Sequence, residues 1–313
     1  MLPTPLFVVG LVTSLAISAF ALPSPPPIKI LQGNDDGWAE ANVRQLYFDL
    51  KSNGYNTLLS APAYDQSGRG SLDLPLHSVI PLLVIPAEYN SVPAFRPSIG
   101  HNTSDDRLNY VASFPVTAMK YGLQKLAQSV LGGSPDIVLS GPNVGGNIGP
   151  QDQFSGTIGV AAAAAVSYGI PAIAFSGADR TKRPYTDLRP GDISHLYSAL
   201  SMTILSQVLA SGKPYLPTNT FLNINFPKPS DACLAASAFK FILTTSEPVP
   251  SGQAVQCGGA IIPDEATVIA SECRVSITAM TSESALMIKK DVSLDVQRQV
   301  QAKLAPILSC YNA

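Results

Sequence analysis

Three short stretches of this sequence carry residue types suited to handling metal ions and phosphate. They are Gly33-Asn34-Asp35-Asp36-Gly37, Asp65-Gln66-Ser67-Gly68-Arg69-Gly70, and Gly141-Pro142-Asn143-Val144-Gly145-Gly146-Asn147. Adjacent carboxylates such as Asp35 and Asp36 repel each other, and drying them is costly unless a cation or hydrogen bonds offset it. A divalent metal is the economical partner. Carboxylate, hydroxyl and amide-carbonyl oxygens are hard donors that favour Mg²⁺, Mn²⁺ or Ca²⁺ over zinc. The alternative has one Asp capping the helix that starts near Trp38 and the other facing solvent. The Gly-rich stretch 141–149 offers backbone N–H groups at little steric cost, which suits an oxyanion. Next, Ser155-Gly156-Thr157 opens an Ala-rich segment, and a helix N-terminus there would be a seat for phosphate. Plain turn glycines are the other reading of that loop.

Ligands of an open parallel sheet bind beyond the carboxyl ends of its strands, so each stretch gains meaning from the element before it. Residues 28–31 form an apolar run that reads as a buried strand. Val43, Leu46, Tyr47 and Leu50 recur at three- and four-residue steps and predict a helix ending near Asn53-Gly54. A strand at 57–61, stopped by Pro62, completes a βαβ unit with a right-handed crossover. Residues 71–109, rich in Pro, Ser and Asn, read as a loop-rich insertion with one short strand at 78–85. Further on come a helix at 116–131, a strand at 136–140, a helix at 156–168, a strand at 171–176, a helix at 193–209 and a strand at 220–226. This alternation predicts an α/β fold, a doubly wound, mainly parallel Rossmann-like sheet. After residue 230 the texture changes. Strands at 239–245 and 267–280 and a helix at 292–308 predict a smaller C-terminal β-hairpin/helix extension. All three polar stretches, with Ser155-Gly156-Thr157, then fall on one rim.

Only 13% of the 313 residues are charged and the net charge is −2, so no basic stripe for nucleic acid is present. A phosphate-bearing ligand must be held by local geometry. The apolar run 6–20 is too short for a membrane span, which takes about 20 residues. It ends in Ala19-Phe20-Ala21 and reads as a signal peptide over 1–21, although no Lys or Arg precedes it. A signal anchor or a buried N-terminal helix is the alternative. The expected domains are 22–230, catalytic, and 231–313, the extension, in a secreted protein with no membrane segment after cleavage. The sequon Asn102-Thr103-Ser104 agrees with export. Cys233, Cys257, Cys273 and Cys310 predict two disulfides, with all three connectivities open, against the alternative of free buried thiols. A dinucleotide fingerprint, a P-loop and a Gly-x-Ser-x-Gly elbow are absent, and His77, His101 and His195 are scattered.

Taken in order, these motifs resemble the survival protein SurE family. Asn34-Asp35-Asp36-Gly37 is similar to its N-D-D-G, and Ala61-Pro62 with Gln66-Ser67-Gly68 to its second motif. Pro135 through Asn143, then Gly145 and Asn147, is similar to its P-D-(I/V)-V-x-S-G-x-N-x-G-x-N signature. Ser155-Gly156-Thr157 and Asn223-Ile224-Asn225-Phe226-Pro227 resemble its S-G-T and N-x-N-x-P motifs. The resemblance covers roughly 28–280. It implies an acid phosphatase or nucleotidase acting on phosphomonoesters, with a divalent metal held at Asp35, Asp36, Ser67 and Asn143. It also implies an extension that exchanges elements in a homodimer. The catalytic expectation is Asp35 and Asp36 assisted by Asn147, Ser155 and Thr157. The phosphoryl group is expected against Asn34, Gly145, Gly146, Ser155, Gly156 and Thr157. Where many members carry Pro-x-Asp-Cys, this chain has Pro115-Val116-Thr117-Ala118. That replaced polar contact leaves a second reading, a secreted phosphate-ligand binding protein with a degenerate site.

Overall fold

The computed structural model describes residues 26–248, 255–258, 260–283 and 287–311; the expected signal peptide lies outside the described residues. The chain enters β1 (Lys29–Gly33), crosses through α1 (Ala41–Ser52) and returns as β2 (Asn56–Pro62), parallel to β1. Ile30 and Leu31 are both fully buried, one in each of the two main core clusters, as a strand covered on both faces requires.

The insertion departs from expectation. No strand forms at 78–85: Ile80, Leu82, Val84 and Ile85 are exposed, and Pro81 within the run and Pro86 after it remove ladder donors. The strands lie later, in a hairpin of β3 (Ile99–Asn102) and β4 (Asp105–Val111), and β4 runs parallel to β2. β3 is the edge of the sheet, and the start of β4 beside it carries Asp105, Asp106 and Arg107.

The next unit is α2 (Pro115–Tyr121), which widens into π-type turns through Leu131, followed by β5 (Ile137–Val144). Then come α3 (Gly156–Ala162), β6 (Ala172–Gly177), α4 (Ile193–Ala210) and β7 (Phe221–Phe226). Ala161 to Ala165 are all buried, so this small-residue helix lies close against the sheet. α4 is long and apolar enough to cross a membrane, yet Tyr197, Leu200, Ile204, Leu205 and Val208 are buried in the core.

The extension adds β8 (Lys240–Thr244), a ribbon of β9 (Val255–Gln256) and β10 (Ala260–Ile261), and α5 (Glu265–Ile269). It ends with β11 (Arg274–Glu283), β12 (Ile288–Asp291) and α6 (Leu294–Leu304). The single strand expected at 267–280 is therefore divided. Asp264 accepts the Thr267 N–H at 2.9 Å and starts a short helix before β11 begins. The sheet has the order β12-β11-β7-β6-β5-β1-β2-β4-β3, with β8 on β11; β11 pairs antiparallel with β7, so the extension continues the main sheet.

Disulfides Cys233–Cys273 and Cys257–Cys310 settle the connectivity, and no cysteine is free among the described residues. They close loops of 40 and 53 residues. Removing either pair by Cys→Ser substitution is expected to lower the free energy of unfolding by about 2–4 kcal/mol in denaturant titrations. A non-reducing peptide map that joined Cys233 to Cys257 would contradict this arrangement.

Candidate active site

The turn after β1 is held by Asn34, whose Nδ2 donates to the Gly37 carbonyl at 2.9 Å. Neither following Asp caps α1. Glu40 does, accepting the Asn42 N–H at 2.5 Å. Asp35 and Asp36 are instead buried at the rim, 3% and 0% exposed. Asp35 accepts the Gly156 N–H at 3.1 Å and the Thr157 hydroxyl. Asp36 accepts the Val144 N–H at 2.7 Å, and its other oxygen lies 3.1 Å from Lys182 Nζ. Burial pushes both carboxyls above the usual range; Asp36 is raised well above it, with Asp35 and Glu40 adding repulsion.

The third stretch is shaped by a register break in β5 between Ser140 and Asn143. Gly141 has φ +98°, and a Cβ there would lie 2.2 Å from the Phe175 carbonyl oxygen, so the close approach demands glycine. Beyond the break, Asn143 Nδ2 donates to the Gly145 carbonyl at 2.7 Å, while its Oδ1 is buried without a partner. Asn147 is locked to β7 and β6. Its N–H donates to Asn225 at 2.8 Å, its carbonyl accepts from Asn223 and Asn225 at 3.0 and 2.8 Å, and its side chain donates to Ser176 at 2.8 Å.

Four of the expected phosphate donors are engaged inside the protein. The N–H groups of Gly145 and Asn147 are used inside the protein, by Gly177 and Asn225. Gly156 and Thr157 hold Asp35 and do not face outward. Ser155 Oγ accepts from Ile158 N–H at 3.1 Å and keeps its own O–H proton for a ligand.

A cavity of ≈ 420 Å³ opens on this rim, walled by Asp35, Ser67, Asn143, Gly145, Gly146, Asn147 and Ser155. Asn34, Asp36, Gly156 and Thr157 do not line it; Gly156 and Thr157 bond to Asp35, Asp36 to Val144 N–H, and Asn34 to Gly37. Arg180 and Lys182, which sequence reasoning passed over, complete the wall. They lie in the loop after β6, another parallel strand, so the strand-end rule could have found them. A cleft of ≈ 440 Å³ at the opposite strand ends, with Asp136, Lys213 and Tyr215, has no paired acids. Ser67 donates to Asp65 at 2.7 Å. Among the described residues no three His, Cys, Asp or Glu group so as to hold a metal. An ion here would use two carboxylates and neutral oxygens, and the partnerless Asn143 Oδ1, on the same cavity wall as Asp35, suits a hard cation.

A family model described as survival protein SurE matches residues 30–245. The chain belongs to the SurE family. The match spans most of the chain and includes every residue that walls the cavity. An acid phosphatase of Yarrowia lipolytica is 37% identical over 212 residues, 64% of this chain and 57% of that protein. A 5'-nucleotidase SurE of Lawsonia intracellularis is 30% identical over 202 residues, 64% and 66% respectively. The chain thus matches less than two thirds of the length of each relative. The SurE protein of Aquifex aeolicus superposes with a TM-score of 0.55 at 21% identity, covering 88% of this chain and 98% of that one, and shares the fold. Thr117, where the SurE-like pattern is broken, is buried and bonded to Asp73 at 2.9 Å, away from the cavity wall. Its replacement therefore removes no group from that wall.

The loop below the cavity also rests on the extension. Glu265 of α5 accepts from Asn223 at 2.8 Å, Thr278 at 2.6 Å and the Gly149 N–H at 3.2 Å. Nearby Asp152 is buried with both carboxyl oxygens partnerless. Burial, then repulsion from Glu265, Asp291 and Glu247, pushes it up to about 9, with Lys289 opposing. Below the ordinary carboxyl range both states are protonated and Asp152 has no effect. Above it the unfolded carboxyl loses its proton while the folded one keeps it, so stability falls as pH rises toward about 9. Asp152→Asn is expected to gain about 1 kcal/mol or more over the parent by pH 8, and less at pH 5, in urea unfolding. Parallel stability curves for the two proteins would contradict it.

Proposed function

We propose that this chain is a secreted, metal-dependent phosphomonoesterase of the acid phosphatase or nucleotidase type. The observation that carries this reading is a single cavity lined by the buried Asp35, whose neighbour Asp36 is also buried, and by Asn143 with its partnerless Oδ1, and edged by Arg180 and Lys182. The names of the two relatives support the same reaction class. Asp35, Asp36, Ser67 and Asn143 are the residues to hold a Mg²⁺ or Mn²⁺ ion. Bound there, such an ion supplies Lewis acidity and a more acidic water.

The chain's own groups do the rest. Gly156 N–H and Thr157 fix Asp35, and Val144 N–H fixes Asp36, so neither carboxylate needs to reorganise as charge shifts. Ser155 O–H and the cationic ends of Arg180 and Lys182 receive phosphoryl oxygens. Gly145 and Gly146 form a wall with no side chain, which lets the phosphoryl group approach the backbone closely. The cavity lies open to solvent and suits a small ester. Two disulfides and the leader-like start support an exported protein.

The test is hydrolysis of a generic phosphomonoester with Mg²⁺ or Mn²⁺, repeated with chelator. Phosphate release is expected to need the ion, and Asp35→Asn to lower kcat by about 10²-fold or more with the fold retained. Turnover that survives both treatments would remove the reading.

A further inference from the structure

Lys182 does more in this site than edge the cavity. Its Nζ lies 3.1 Å from Asp36 Oδ1 and 3.2 Å from Ser67 Oγ, and it also contacts Asp65 Oδ2. Asp36 and Ser67 are two of the four residues assigned above to a divalent ion. An ammonium at about 3 Å from these oxygens draws on the lone pairs that a Mg²⁺ or Mn²⁺ ion would use at about 2.1 Å. One site does not hold both cations, because like charges at that spacing repel strongly in a partly dry setting.

The two partners differ in freedom. The Asp36 side chain is fully buried and fixed by Val144 N–H, whereas the Lys182 side chain is 31% exposed on a flexible stem. Lys182 is therefore the group that moves. The place open to it is the cavity it already helps to wall, next to Arg180, with exposed Asp65 keeping its stem near the rim.

We propose that Lys182 is a tethered placeholder cation: it balances Asp36 while the site holds no metal, yields Asp36 and Ser67 to an entering divalent ion, and then turns into the cavity to bind the anionic phosphoryl group. This rests on the metal reading of the proposed function. It makes Lys182 at once a competitor for the ion and a substrate-binding residue.

The experiment is a Mn²⁺ titration of the full chain, followed by the loss of the free-ion electron paramagnetic resonance signal. Lys182→Met is expected to bind Mn²⁺ roughly five- to tenfold more tightly than the parent, the order of effect of removing one competing, partly exposed charge. Inorganic phosphate, titrated at saturating Mn²⁺, should bind several-fold more weakly to the same variant. Lys182→Arg keeps the charge and should stay near the parent in Mn²⁺ affinity. Arg180→Met removes an equal charge that touches neither Asp36 nor Ser67, and should change Mn²⁺ affinity less than twofold. Unchanged or weaker Mn²⁺ binding in Lys182→Met overturns the proposal, as does equal tightening in Arg180→Met, which would reveal a general field effect. If the parent and every variant leave the Mn²⁺ signal untouched, the metal reading falls first and the placeholder role with it.

Discussion

Two carboxylates buried side by side at the end of β1 set the terms for the rest of this structure. Neither has water to solvate it, and each disfavours ionisation of the other. The surrounding elements can be understood as sources of compensation. The start of α3 gives Asp35 an N–H, a hydroxyl and the positive end of a helix. The register break in β5 turns the Val144 N–H toward Asp36. Gly156 shows how tight the arrangement is, since a Cβ there would sit 2.7 Å from Asp35 Cβ and 2.9 Å from Pro115. The alanine run in the same helix belongs to this constraint too, because the helix must lie low on the sheet for its first turn to reach the carboxylate.

The loop that walls the cavity is fixed by amides and not by apolar packing. Asn223 and Asn225, on one face of β7, bind the Asn147 backbone, and Glu265 holds Asn223 in turn. Glu265 is itself pushed up to about 8 by burial, against the pull of its three donors, so this support is polar and dry. Because α5 lies in the last third of the chain, the geometry of the rim depends on residues far from the motifs that announce it. The two disulfides brace the same region, Cys233–Cys273 joining the segment after β7 to the start of β11.

Much of this was legible before any coordinates. Short apolar strands between helical periods gave the parallel sheet, and the strand-end rule placed the three polar stretches on one rim. The elements that escaped did so for identifiable reasons. β3, at the edge of the sheet, and its neighbour β4 are short or charged at their start, and this breaks the alternation by which strands are recognised. The run 78–85 has strand-like composition but is interrupted by Pro81 and makes only an isolated bridge, Leu82 to Pro97. α5 is one turn long and depends on the Asp264 cap, beneath the length at which periodicity speaks. Asp35 and Asp36 could be singled out from their adjacency, but not the donors that would serve them. That Gly156 and Thr157 serve Asp35 and not a ligand depends on a packing distance, and Glu265 or Lys182 on contacts more than a hundred residues apart in sequence.

On the proposed reading, the distribution of charge implies an order of events. Asp35 lines the cavity, Asp36 and Asp65 contact its Lys182, and Glu88, brought in by the insertion, adds a fourth carboxyl near Asp65, held up at about 7 by burial and by Asp65. A phosphoryl group approaching that field unaided would be repelled, and the chain's net charge of −2 offers no long-range attraction to offset it. Anion binding can follow only when the carboxylates are balanced and positive charge remains over. In the described structure Lys182 is engaged by Asp36 and Asp65. One of the two cations on the cavity wall is thus committed to the acids before it can serve a phosphate, Arg180 being the other. For Lys182 to serve a phosphate as proposed above, something else must first take over the charge of Asp36, and on that reading cation binding precedes anion binding at this rim.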